Sequence, residues 1–166
     1  MGTGAGPGFG NTGGSRPSAT IRAYSRERVK EWAEKKRSEL TGKTKKNFNT
    51  ACVVYDSETG KYYYGRNGGY HEKDYVRNPQ LFGDETHVGI LPHTSLNIYP
   101  VGNCAEVDAV NRALNDGAKL SNLHMTTIHV TKKQLGDYKP ACQNCTYSFK
   151  GRISENFSGW FEGGTE

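Results

Sequence analysis

Three cysteines and one glutamate are the residues of this chain best suited to chemistry. Cys104-Ala105-Glu106 is followed further along by Pro140-Ala141-Cys142-Gln143-Asn144-Cys145. A C-x-x-C spacing sets two sulfurs on one side of a turn, a common zinc-binding geometry. With Cys104 the count reaches three thiolates, which leaves one of zinc's four tetrahedral positions open to water. A structural zinc site closes that position with protein. Glu106, two residues beyond Cys104, can address the water without ligating the metal, as a general acid and base. The candidate ligands are therefore Cys104, Cys142 and Cys145, the candidate catalytic residue is Glu106, and the implied cofactor is Zn2+. Two alternatives stay open. Asn103 to Glu106 also has capping-box spacing, which would make Glu106 a helix-stabilising residue. Cys52, in an apolar segment, reads as a buried structural thiol, but as a fourth ligand it would close the site and leave it inert. Disulfides among the four cysteines are disfavoured by the metal-like contexts and by a chain long enough not to need staples.

These residues need helix starts beneath them, because the free N–H groups there favour thiolates. Residues 103–116 read as a helix with Asn103 as N-cap, a stripe of Ala109, Val110, Ala113 and Leu114, and Gly117 just past the end. A second short helix is expected to start near Cys142. Segments 48–55 (FNTACVVY) and 61–66 (KYYYGR) read as strands joined by a turn at 56–60. Segment 126–131 (TTIHVT) is a β-branched strand, and short strands are expected near 152–154 and 157–161. An earlier helix is expected over 25–40, capped by Ser25 and ended by Gly42. Residues 68–99 show no clear period and read as a long connection that walls the site and hides a short strand near 87–91. The order helix, hairpin, helix, strand, helix implies an α/β fold with a mixed central sheet and helices on both faces.

The chain has 166 residues and a net charge of +5, with 34% hydrophobic residues. That length suits one domain. Residues 1–20 read as a flexible Gly-rich linker and 21–166 as the domain. No apolar run reaches membrane-spanning length, and the glycine-rich start has no apolar core of a signal peptide. Positive charge is concentrated: residues 15–46 hold eleven Lys and Arg against four Glu, while the remainder is slightly acidic. A basic segment beside a near-neutral site suits phosphate attraction, and equally suits a solvated helix face. His71, His87, His93, His124 and His129 show no ligand spacing, although His71, His87 and His93 fall on or beside the long connection, within reach of a pocket.

The segments NCAEVDAVNRAL (103–114) and YKPACQNCTYSF (138–149), preceded by YYYGRNGG (62–69), resemble the cytidine-deaminase-like superfamily. Within it they are most similar to bacterial polymorphic-toxin deaminases, a group that includes single-stranded-DNA cytosine deaminases. The resemblance covers roughly residues 47–150. It implies a deaminase-like three-layer fold and zinc-dependent deamination of cytosine to uracil in single-stranded DNA. It also implies a monomeric effector, secreted or injected, that acts in the target-cell cytoplasm and is neutralised by an immunity protein. The Gly-rich leader and the short tail after the motif fit that picture. By position, Asn67 would be the strand-end Asn that contacts the nucleotide. Tyr147 and Phe149, and the hairpin residues Tyr62 to Tyr64, are candidate rings for base stacking, with core packing an equal alternative. The chain departs from better-known members in having Cys104 where a His ligand is common, and in a C-terminal part shorter than that of editing deaminases. Deamination of RNA, adenine or free nucleosides, and a non-catalytic zinc-stabilised module, are the other readings.

Overall fold

A computed structural model describes residues 17–163. The centre is a run of apolar and β-branched residues, Thr50–Asp56, forming β1 with every position buried. Burial on both sides requires a layer on each face. Side chains alternate across a strand, and here Cys52 and Val54 enter one core while Ala51 and Val53 enter the other. Strand β2, Tyr62–Arg66, returns antiparallel to β1 through the expected turn. Strand β3, Leu123–His129, pairs antiparallel on the other side of β1, with Cys52 opposite Thr127. A two-residue strand β4, Glu155–Asn156, adds in parallel to β3. The sheet is thus mixed, in the order β2-β1-β3-β4.

Helix α1, Ser18–Glu39, covers one face. Its buried stripe of Ile21, Ser25, Val29 and Ala33 recurs every four residues. Ser25 is therefore a core position in mid-helix, not the N-cap expected from its type. The helix starts behind Pro17, whose carbonyl accepts from the Thr20 amide at 3.0 Å. It also takes up residues 18–20, assigned from composition to the linker; residues 1–16 of that linker lie outside the described residues. A short helix α2, Gly42–Asn47, follows the break expected at Gly42.

The opposite face carries α4, Ala105–Asn115, and α5, Gln143–Phe149. The architecture is the three-layer α/β arrangement expected from the element order. Close approach of α4 to β2 is made possible by Gly65, since a Cβ there would collide with the backbone of Ala105 and Ala109. Asp108 ties the two together. Its carboxylate accepts from the Arg66 amide at 3.0 Å and pairs with Arg112 at 3.1 Å. Glu72 bridges Arg66 and Arg112, each at 3.0 Å.

The long connection holds a 3-10 turn at Gly69–His71 and one helical turn α3, Pro79–Phe82, with no strand at 87–91. Asn111 from α4 fastens it, accepting from the Asn78 amide at 2.7 Å and donating to the Val76 carbonyl at 2.7 Å. After α5 the one or two strands expected near 152–154 and 157–161 are reduced to β4, which lies between them. Among the described residues, no helix is long and apolar enough to cross a membrane.

Candidate metal centre and adjoining cavity

The sulfurs of Cys104, Cys142 and Cys145 lie within 4.8 Å of one another. Cys104 is the N-cap of α4 and Cys142 the N-cap of α5, so two helix starts converge on one point. The chain reaches Cys142 along an anchored path. Lys139 N–H donates to the Thr127 carbonyl on β3, and Ala141 N–H donates to Gly159, both at 2.9 Å. Ser158 secures the same strand, with Oγ accepting from the Thr127 amide at 2.8 Å and donating to its carbonyl at 2.7 Å. Sulfurs around a tetrahedral zinc stand about 3.8 Å apart, from Zn–S bonds of about 2.3 Å. The three sulfurs supply that donor set, with Cys104 Sγ and Cys142 Sγ 3.0 Å apart, closer than the spacing around a bound ion. Cys142 is held well below the usual thiol range by hydrogen bonds from Cys104 and Cys145 and by the amides of Cys145 and Asn144. Cys104 is held above it by its hydrogen bond to Cys142, and Cys145 by its hydrogen bonds to Cys104 and Cys142, with burial adding to both. All four cysteines are free thiols, and Cys52 is fully buried outside the cluster.

Glu106 is 4% exposed on the second residue of α4, beside the cluster. Because Cys104 rather than Asn103 is the N-cap, Glu106 does not occupy the capping-box position, and α4 has no side-chain cap. Burial, then the negative charge at Cys142, push its carboxyl up to about 7, against Lys139 and the Thr127 hydroxyl. A cavity of about 370 Å³ opens over these residues, lined by Cys104, Cys142 and Glu106. Its walls are polar: Asn49, Asn103, Lys139 and the ring of Tyr99. Lys139 Nζ donates to Thr50 Oγ1 at 2.7 Å, which fixes the ammonium in the wall.

Asn67 lines the cavity, as its position suggested. Its side chain, however, is engaged within the fold. Oδ1 accepts from the amides of Asn49 and Thr50, each at 3.0 Å, and Nδ2 donates to Asn47 O at 2.8 Å. Phe149 is corrected: it is fully buried in the core with Cys145. An i, i+4 pair shares one helix face, so the inward turn of Cys145 carries Phe149 inward with it. Tyr147 is 58% exposed but does not line the cavity. The hairpin tyrosines are also elsewhere. Tyr64 stacks on Trp32 at 5.5 Å, Tyr62 packs on Tyr55 at 4.9 Å, and Tyr63 donates to Asp116 at 2.5 Å. His71, His87 and His93 do not line this cavity, and the last two border a separate cleft with Phe82 and Val101.

Sequence reasoning missed Tyr99, Lys139, Asn47, Asn49 and Asn144. Asn144, inside the C-x-x-C, is a strut: Oδ1 accepts from the Leu96 amide at 2.8 Å and Nδ2 donates to Ser95 Oγ at 3.1 Å. Ser95 in turn donates to the Tyr99 carbonyl at 2.5 Å, so α5 positions the loop that carries Tyr99. Of the long connection, only this last residue reaches the wall. The position of Asn144 between two ligands was a usable local signal; the others come from separate segments with none. No protein-family model, curated protein or solved structure matched the chain.

Proposed function

We propose that the chain is a zinc-dependent hydrolytic deaminase converting cytosine to uracil in single-stranded DNA. One observation carries this reading: a cluster of three sulfurs, not four, borders through Cys104 and Cys142 a polar cavity that a buried glutamate also lines, with Cys145 buried behind them. Cys52, the fourth thiol, stands apart from the cluster, which argues against a closed structural site. Held by Cys104, Cys142 and Cys145, zinc would supply a Lewis acid that lowers the pKa of a water toward about 7. Glu106 has the position to take the proton of the attacking water, deliver it to the ring nitrogen, and pass the second proton to the departing amine. Cytosine and water give uracil and ammonia, and Glu106 ends as it began. Asn49, Asn103 and Tyr99 line the same cavity and supply the residue types that recognise a base, amide groups and an aromatic ring. The cavity volume falls within the roughly 300–1,000 Å³ of ligand sites. The effector role, the immunity-protein partner and the target-cell location follow from the same resemblance and belong to this proposal.

The test is a cytosine-containing oligonucleotide assayed for uracil by glycosylase cleavage, beside duplex DNA, RNA and free cytidine. Uracil is expected in single-stranded DNA. Glu106→Gln is expected to reduce it by about 10²- to 10⁴-fold, the usual contribution of a general acid–base, with zinc content unchanged. Product from metal-free protein, or full activity in Glu106→Gln, overturns the mechanism. Reaction of only RNA or cytidine overturns the substrate.

A further inference from the structure

The positive charge of the N-terminal region is divided by the fold. Several cations of α1 are engaged where they stand. Arg22 and Arg26 lie over the ring of Tyr138 at 4.9 and 5.5 Å, and Arg28 lies over Tyr62 at 4.6 Å. Arg37 donates to the carbonyls of Phe48 and Val130 at 2.9 and 2.8 Å. No α1 residue lines the cavity over the cysteine cluster. Helix α2 differs. Lys43, Lys45 and Lys46 are all exposed, and no acidic residue occurs between Glu39 and Asp56. None of the three lysines takes part in an ion pair among the described residues.

The helix that bears this charge ends at the cavity. Asn47, the last residue of α2, lines it, as do Asn49 and Thr50 just beyond. The placement is rigid. Asn67 holds Asn47, Asn49 and Thr50 together in three hydrogen bonds. Arg37 grips the backbone behind them, and Phe48 is buried with Trp32 edge-on at 6.5 Å. Tyr99, 53% exposed, also lines the cavity. The one carboxylate side chain in the cavity lining is the buried Glu106.

We infer that α2 is the phosphate-binding wall of the site. A single-stranded polynucleotide places one base in the cavity, and its phosphates run across Lys43, Lys45 and Lys46. This deepens the proposed function and rests on its choice of a polymeric substrate. A free nucleoside, lacking flanking phosphates, gains nothing from these lysines.

The test uses zinc-loaded Glu106→Gln protein and a fluorescein-labelled single-stranded oligonucleotide, with anisotropy read across a salt series. Replacing Lys43, Lys45 and Lys46 together by Gln is expected to weaken binding at least tenfold at low salt. It should also flatten the log K against log salt slope by about 2, at about 0.7 per single-strand phosphate contact. The triple Arg variant, which keeps the charge, should retain both affinity and slope. Lys61→Gln with Lys119→Gln, near the far end of α4, should leave binding unchanged. The inference is overturned if the triple Gln variant binds like its parent, as an acidic protein partner for α2 would predict. It is equally overturned if the Lys61 and Lys119 pair has as large an effect, which would reduce the result to net charge. Intact binding with no uracil formed by the wild type counts against the chemistry and leaves α2 assigned.

Discussion

Cys104 takes the N-cap of α4 with an extended backbone, φ −70° and ψ 148°, and that single displacement from Asn103 decides what Glu106 does. One residue further along the helix, the carboxylate would have reached back to cap it. As it stands, Glu106 is buried beside the sulfurs. Thiolates and a carboxylate this close repel one another without a cation between them. The donor set should therefore depend on each of its three members. Cys104→Ser and Cys142→Ser are each expected to lower zinc affinity by more than about 100-fold, beyond the usual cost of losing a supporting residue. Cys52→Ser should leave it unchanged. Zinc released to a colorimetric chelator measures both, and loss of zinc in Cys52→Ser would point to a closed four-thiolate cage.

Elements place what residues cannot place for themselves. The β1 start, the β2 end and α2 meet at the Asn67 side chain, whose carbonyl oxygen accepts two backbone amides. These bonds are exposed or half-buried, so water replaces part of what a lost acceptor supplied. Asn67→Ala is accordingly expected to lower unfolding free energy by about 0.5–1.5 kcal/mol in urea titration, the usual net worth of a hydrogen bond. Asn67→Asp, which keeps the acceptor, should lower it less. A role confined to gripping a nucleotide predicts no change in stability for either. Helix α5 shows the same logic in its periodicity: Cys145 and Phe149 share the inward face, leaving Tyr147 outward.

At the scale of the molecule, the cysteine cluster joins the starts of two helices that lie far apart in the chain and pack on the same sheet face. A metal bound there stabilises only the folded state, in which the three sulfurs are together. Chelation should lower the melting temperature, and zinc should restore it. At a free zinc concentration 100 times Kd, the difference is about 2.7 kcal/mol. For a chain of this size that corresponds to roughly 5–10 °C. Differential scanning fluorimetry with parallel metal analysis checks it. A melting temperature indifferent to loss of the metal would mean the sulfurs do not bridge the two helices.

The C-x-E pair Cys104 and Glu106 and the C-x-x-C pair Cys142 and Cys145 were legible in the sequence because each spacing is local, while the meeting of the two pairs is a tertiary outcome. C-x-E and C-x-x-C each fall within one helical turn, so chain geometry alone brings their members together. The central strands were legible for a similar reason, since β1 is an apolar β-branched run bounded by turn residues. Tertiary contacts decided the rest. Ser25 lost its expected capping role because α1 gains burial along the sheet by starting at Ser18. Asn67 was drawn into the α2–β1 junction, Lys139 was set in the wall by its bond to Thr50, and Tyr99 was delivered by a loop tied to Asn144. These placements depend on strand register and on which helix covers which face. Such choices are made by contacts between segments far apart in the chain, and spacing within any one segment does not carry them.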